Sequence, residues 1–129
     1  MDLIGFSMGG IVGRYYLQRL GGLDRVRRFL TLSSPHGGSW TCLAPMGKGV
    51  KQMRRESDFL KDLDADAERL RAVKFSSFYT KRDLMVLPAS SSRTRWSLNR
   101  VFPVWWHSWM LVDTGVHEAV LEFLGEEEI

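Results

Sequence analysis

The sequence predicts an α/β fold, a mostly parallel sheet flanked by helices, and three observations carry that expectation. Leu3-Ile4-Gly5-Phe6 is a short, continuous apolar run of the kind that forms a strand covered on both faces. Strand-like and helix-like stretches then alternate to the end of the chain. Between the first strand and the first helix stands Gly5-Phe6-Ser7-Met8-Gly9, a serine between two glycines.

Residues 2–6 form the first strand. From Met8 to about Leu20 the residues Ile11, Val12, Tyr15, Tyr16 and Leu20 recur at helical spacing, and Gly21-Gly22 ends the helix. Gly9 and Gly13, four apart on one face, let that helix lie close to the sheet. Arg25 to Ser33 is the second strand, ending in the turn residues Ser33-Ser34-Pro35-His36-Gly37-Gly38-Ser39. The segment 35–56 that follows is too apolar for a solvated connection, with Trp40, Leu43, Pro45 and Met46; it is either a lid or pocket wall, or a plain buried loop. Ser57 caps a helix running to about Arg71, with Phe59, Leu60, Leu63, Ala67 and Leu70 as its apolar stripe. Val73 to Tyr79 is a third strand rich in β-formers. A serine-rich loop leads to a fourth strand within Leu98 to Trp105, where Pro103 marks an edge or a bend. The last helix, Thr114 to about Leu124, turns Val116, Val120, Phe123 and Leu124 inward.

With 129 residues, 44% hydrophobic and 26% charged, the chain has the composition of one globular domain, residues 1–129. The net charge of +3 is interspersed with 15 acids, which argues against a nucleic-acid partner. A lone Cys42 allows no intrachain disulfide and no paired-cysteine metal motif, and no metal site is expected. No apolar run reaches the roughly 18 residues of a membrane span. Localisation stays open, with the cytoplasm favoured and an N-terminal signal still compatible.

The chemistry centres on Ser7. A turn from strand to helix sharp enough to lift a serine clear of the sheet needs glycines two before and two after, where side chains would collide. Average glycine and serine usage of about 7% each gives roughly 0.04 such patterns by chance in a chain this long. The Met8 N–H, at the start of the helix, is placed to hold the oxyanion of an attacked carbonyl. Catalytic groups of parallel sheets gather at the C-terminal strand ends, where Ser7, Asp83 and His107 occur in the order nucleophile, acid, histidine. His107 would take the Ser7 proton and Asp83 would orient the imidazole. His36 and His117 are rival bases: the first suits a structural or pocket-lining role, the second a solvent-facing helix position. Asp113 is a rival acid that better suits the last helix's N-terminal cap.

These segments, with Asp83-Leu84-Met85-Val86-Leu87-Pro88 and a histidine shortly before the final helix, resemble the C-terminal part of the α/β-hydrolase fold, specifically the bacterial triacylglycerol-lipase-like esterases. The resemblance implies carboxylic ester hydrolysis through an acyl-enzyme on Ser7, without a cofactor. It implies a pocket bordered by Phe6, His36 and Trp40, and a small-molecule or lipid ester as substrate, with transient contact at a lipid interface as a further expectation. Thioesterases and acyltransferases share the framework. The family's strands before the elbow, and the loop that gives a second oxyanion donor, have no counterpart here. The partial fold would leave Leu3, Ile4 and Phe6 along an open edge, to be completed by polypeptide supplied elsewhere. A truncated, non-catalytic binding remnant of such a hydrolase is the alternative.

Overall fold

In the computed structural model, which describes residues 1–38, 57–81, 92, 94–104 and 107–125, four strands form one parallel sheet in the order β1-β2-β3-β4. They are β1 (Asp2–Phe6), β2 (Arg28–Leu32), β3 (Lys74–Tyr79) and β4 (Leu98–Val101). The expected parallel α/β architecture is present. Phe6 lies opposite Leu32, and Leu32 opposite Phe78, so three strands reach the same C-terminal rim.

Alternation along the strands divides the core between two faces. On one face Phe29 and Phe75 pack with Leu17, Val26, Ala67, Leu70 and Val73, beneath helix α1 (Met8–Arg19). Ile11 extends that layer to Leu60 and Leu63 of α2 (Asp58–Ala65). On the other face Leu30, Leu32 and Phe78 meet Phe102, Val104, Met110 and the inward side of α3 (Thr114–Gly125). Each such side chain contributes about 1.5–3 kcal/mol relative to exposure, so β2, buried at all five positions, anchors both layers.

Helix α1 buries a different stripe from the one its apolar spacing suggests. Gly10, Ile11, Gly13, Arg14, Leu17 and Gln18 face inward, whereas Val12 is 59% exposed and Tyr15 39%. Glycine decides this orientation. A Cβ on Gly13 would stand 2.7 Å from the Phe29 ring, and one on Gly10 only 1.9 Å from Ser34 Oγ. Only a glycine face can approach the sheet so closely. Gly9, expected to share this role, looks into open space with nothing within 4 Å of its would-be Cβ.

The second helical region is shorter than the stripe from Phe59 to Leu70 implies. Ser57 is the cap, its Oγ accepting from the Leu60 N–H at 3.2 Å, but α2 ends at Ala65 and the chain continues as a 3-10 segment, Ala67–Ala72. The break falls at Asp66, whose carboxylate accepts bonds from Gln18 Nε2 at 2.9 Å, Arg19 Nη1 at 2.9 Å and Arg69 Nη1 at 3.3 Å. Desolvation alone would raise the Asp66 pKa; the bonds from Arg19, Arg69 and Gln18 outweigh it and hold the carboxyl below its ordinary value. The turn lets Leu60 and Leu63 pack on Ile11 while Ala67 and Leu70 reach the deeper core. β2 likewise starts later than expected, at Arg28, because the Arg25 and Val26 N–H groups both donate to the Gly22 carbonyl at 2.9 Å and keep the chain in the turn that follows Gly22–Asp24. β4 is an edge strand of the described sheet, in line with Pro103 just beyond it.

The two adjacent glycines of α1 should therefore differ sharply on substitution. Gly10→Ala should cost at least about 1–3 kcal/mol through overpacking, and Gly9→Ala should be neutral or stabilise by up to about 1 kcal/mol, as read by thermal unfolding.

Candidate active site

Ser7 follows β1 directly and holds φ 52 and ψ −120, a left-handed backbone that costs a serine about 1–3 kcal/mol. Two backbone bonds fix it. The Ser7 N–H donates to the Leu32 carbonyl at 2.8 Å, and the Ser7 carbonyl accepts from the Gly10 N–H at 3.1 Å. The chain folds back so tightly that a Cβ on Gly5 would lie 2.6 Å from Gly10 N. Gly5 and Gly10, rather than Gly5 and Gly9, are thus the positions the turn requires to be bare. Ser7 is half-buried, and Met8 opens α1 with its side chain exposed. The Met8 N–H has no acceptor within the helix and lies at the positive end of its dipole.

His107 opens a 3-10 segment, His107–Leu111, beyond β4. Its ring centroid lies 4.8 Å from that of Phe6, the residue immediately before Ser7. Phe6 in turn packs against the core layer beneath α3. The fold thus brings His107, Phe6 and the serine turn together from opposite ends of the chain. Asp83 and Trp40 lie outside the described residues. Of the rivals, Asp113 caps α3, its Oδ2 accepting from the Val116 N–H at 3.0 Å. His117 sits on the exposed side of α3, with Nε2 bonded to the Leu111 carbonyl.

His36 occupies the other face of the sheet. It is 3% exposed, with Nε2 3.0 Å from Thr31 Oγ1 and its ring edge-on to Phe75 at 5.6 Å. It borders a cleft of about 570 Å³ together with Arg14, Gly37, Asp64 and Arg95. Burial, and secondarily the Arg14 charge, hold its pKa well below the ordinary histidine range, so the imidazole is neutral at pH 7.

Two features went unseen in the sequence. Arg14 is 1% exposed, donating to Asp64 Oδ1 at 2.9 Å and Gln18 Oε1 at 3.2 Å. An arginine at a helical position beside a glutamine four residues on carries no signal of burial. Ser33 also adopts a left-handed φ of 50, and the hydroxyls of Ser33 and Ser34 are buried without a partner among the described residues. Their only sequence signal was a run of turn-forming residues. Among the described residues no group of three or more His, Cys, Asp or Glu is placed to hold a metal ion.

The depressed His36 pKa has a consequence for stability. The unfolded chain binds a proton near the ordinary histidine value of about 6.5, which the native ring refuses, so stability should fall as pH drops below that point. The slope approaches about 1.4 kcal/mol per pH unit for the one proton. Urea midpoints at pH 7.5 and 5 should show this loss, and His36→Gln should remove its share of it.

The model of the palmitoyl protein thioesterase family matches residues 1–81. Among solved structures, a Bacillus licheniformis lipase in mature form is similar with a TM-score of 0.76 at 15% identity, over 96% of this chain and 64% of the lipase. A gene product of Listeria innocua gives a TM-score of 0.72 at 14% identity, over 100% of this chain and 59% of that one. No curated protein matches. The fold is therefore part of the α/β-hydrolase architecture of lipases, and the chain spans less than two thirds of these longer neighbours.

Proposed function

The chain belongs to the palmitoyl protein thioesterase family, and from that premise we propose that it provides the nucleophile and base of a serine hydrolase acting on acyl esters or thioesters. The observation that carries this reading is the left-handed Ser7 at a strand-to-helix turn, with the His107 ring packed on the adjoining Phe6. In the proposed reaction Ser7 Oγ attacks the acyl carbon as its proton passes to His107. The Met8 N–H stabilises the oxyanion, at a site where removing one such donor typically costs about 2.7–4 kcal/mol. Collapse expels the alcohol or thiol, which takes the proton from His107 and leaves an acyl group on Ser7. Water, deprotonated by the same imidazole, then releases the acid. Asp83 is assigned to orient the His107 ring.

Thioester and oxygen ester need the same groups, because both leaving groups depart from a tetrahedral carbon on the same serine. The acyl chain is proposed to be apolar. Phe6 lies against an apolar layer, and Met8, next to Ser7, and Trp109, two residues after His107, are 44% and 48% exposed. His36 and Trp40 remain proposed contributors to the pocket wall.

Ser7→Ala should abolish labelling by a fluorophosphonate probe and reduce turnover of p-nitrophenyl esters by at least about 10³-fold, with the fold intact by circular dichroism. His117→Ala should change turnover by less than about twofold. Equal losses at both positions would sink the assignment of His107. A series of acyl thioesters and esters from two to sixteen carbons should show kcat/KM rising with chain length, each buried methylene contributing about 0.8 kcal/mol; a preference for acetate would point to a small-ester hydrolase instead.

A further inference from the structure

The cleft that His36 borders is separate from the serine turn. It lies on the α1 side of the sheet, whereas Phe6 and His107 pack on the α3 side. Its volume of about 570 Å³ is that of a small-molecule site. Its walls are fixed by hydrogen bonds. Arg14, 1% exposed, directs Nη2 to Asp64 and Nε to Gln18, and Nη1 reaches the His36 carbonyl only at 3.5 Å. A second wall is the turn from Thr94 to Ser97, held by Asn99, whose Oδ1 accepts from the Thr94 N–H at 2.9 Å and whose Nδ2 donates to the Thr94 carbonyl at 2.7 Å. That turn carries Arg95, which is exposed, and Trp96, which is half-buried against the layer of Phe29 and Phe75.

The charges and the hydrogen bonds of this cleft are both unbalanced. The guanidiniums of Arg14 and Arg95 face the single carboxylate of Asp64, and the His36 ring is neutral, so one positive charge is left over. Burial holds the Arg14 pKa below its ordinary value although Asp64 acts to raise it, the mark of a buried cation that one half-exposed carboxylate does not fully compensate. Its planar fork also has N–H groups to spare. His36 Nε2 is engaged by Thr31 Oγ1, but Nδ1 is buried with no hydrogen-bond partner among the described residues. When the Thr31 hydroxyl donates to Nε2, Nδ1 carries the ring's one proton and becomes a donor. A surplus of one charge fits a monoanion better than a dianion, and paired N–H groups in one plane fit a carboxylate.

We propose that this cleft is a binding site for a small monoanionic organic carboxylate, held by the Arg14 and Arg95 guanidiniums and the His36 Nδ1–H, with its apolar body against Trp96. Trp96 supplies the contact area and the two arginines supply the discrimination. Neither the serine turn nor His107 takes part.

The test titrates the isotope-labelled protein with sodium benzoate, followed by NMR at constant ionic strength and mildly alkaline pH. Binding should saturate and shift the Trp96 indole N–H and the Arg14 Nε–H, and in the complex the His36 ring should carry its proton on Nδ1. Benzamide, of the same shape without the charge, should bind at least about tenfold more weakly, as should inorganic phosphate, largely a dianion under these conditions. Arg95→Ala should weaken benzoate at least about fivefold with the melting temperature unchanged, and Arg95→Lys should restore only part of the loss, because an ammonium lacks the fork. The proposal would be overturned by binding that does not saturate, by benzamide or phosphate binding as tightly as benzoate, or by undiminished affinity in Arg95→Ala. A bound His36 ring protonated on Nε2 would also overturn it, as would shifts confined to His107 and Trp109, which would put the carboxylate at the serine turn instead. None of these readouts uses ester hydrolysis, so failure here and failure of the catalytic assignment are distinguishable.

Discussion

The closeness with which the chain passes itself between Gly5 and Gly10 is the constraint on which the rest of the structure depends. Neither position has room for a side chain: at Gly5 the obstacle is backbone, and at Gly10 it is Ser34 and Thr31. That approach leaves Ser7 in a conformation serine avoids, and the surrounding structure must hold it there. The bond from its N–H to the Leu32 carbonyl does so, and Leu32 belongs to the most completely buried strand of the sheet. A strained turn at the β1 end of the described sheet is thus tied to its buried centre. The same glycine that permits the turn also brings α1 down onto the sheet.

The sheet separates two imidazoles with different surroundings. His107 is half-buried at the rim, against Phe6 and the apolar layer under α3. His36 lies under α1, desolvated and held neutral, in a polar neighbourhood that includes Thr31 and the Arg14 guanidinium. The first residue is partly exposed to solvent, whereas the second contributes packing and a hydrogen bond. Their distances from the serine in sequence, 29 residues for one and 100 for the other, would have suggested the reverse assignment. Sheet topology places the more distant of the two against Phe6, the residue before the serine.

How much of this was legible in the sequence depended on whether the signal was local. The strands were readable because continuous apolar runs and β-branched or aromatic residues report burial directly, and the caps at Ser57 and Asp113 are local chemistry. The inward face of α1 was misread because the spacing of Val12 and Tyr15 obeys helical period, whereas the approach of the backbone is decided by Phe29 and Ser34, residues far along the chain. The break at Asp66 was hidden for a similar reason: its carboxylate is engaged by Gln18 and Arg19, some 48 residues away. Of the candidate site, the strained serine followed from glycine spacing alone; the packing of His107 on Phe6 had no sequence signal, because it joins residues 101 apart. Asp83 and Trp40 lie outside the described residues. The buried Arg14 had no signature, since charge in a helix ordinarily reports exposure.

That arginine has a bearing on the order in which the molecule assembles. Its partner Asp64 is 50 residues away, and closing a loop of that length costs about 3.5 kcal/mol of chain entropy before any contact compensates. Until α2 arrives, a desolvated guanidinium beneath α1 would be an unpaired interior charge, so the helix has reason to stay loosely seated with Arg14 in water. Final docking of α1 then waits on a long-range event. Since α1 begins at the residue after Ser7, the seat of the helix that carries the serine turn depends on a contact made 50 residues further along the chain.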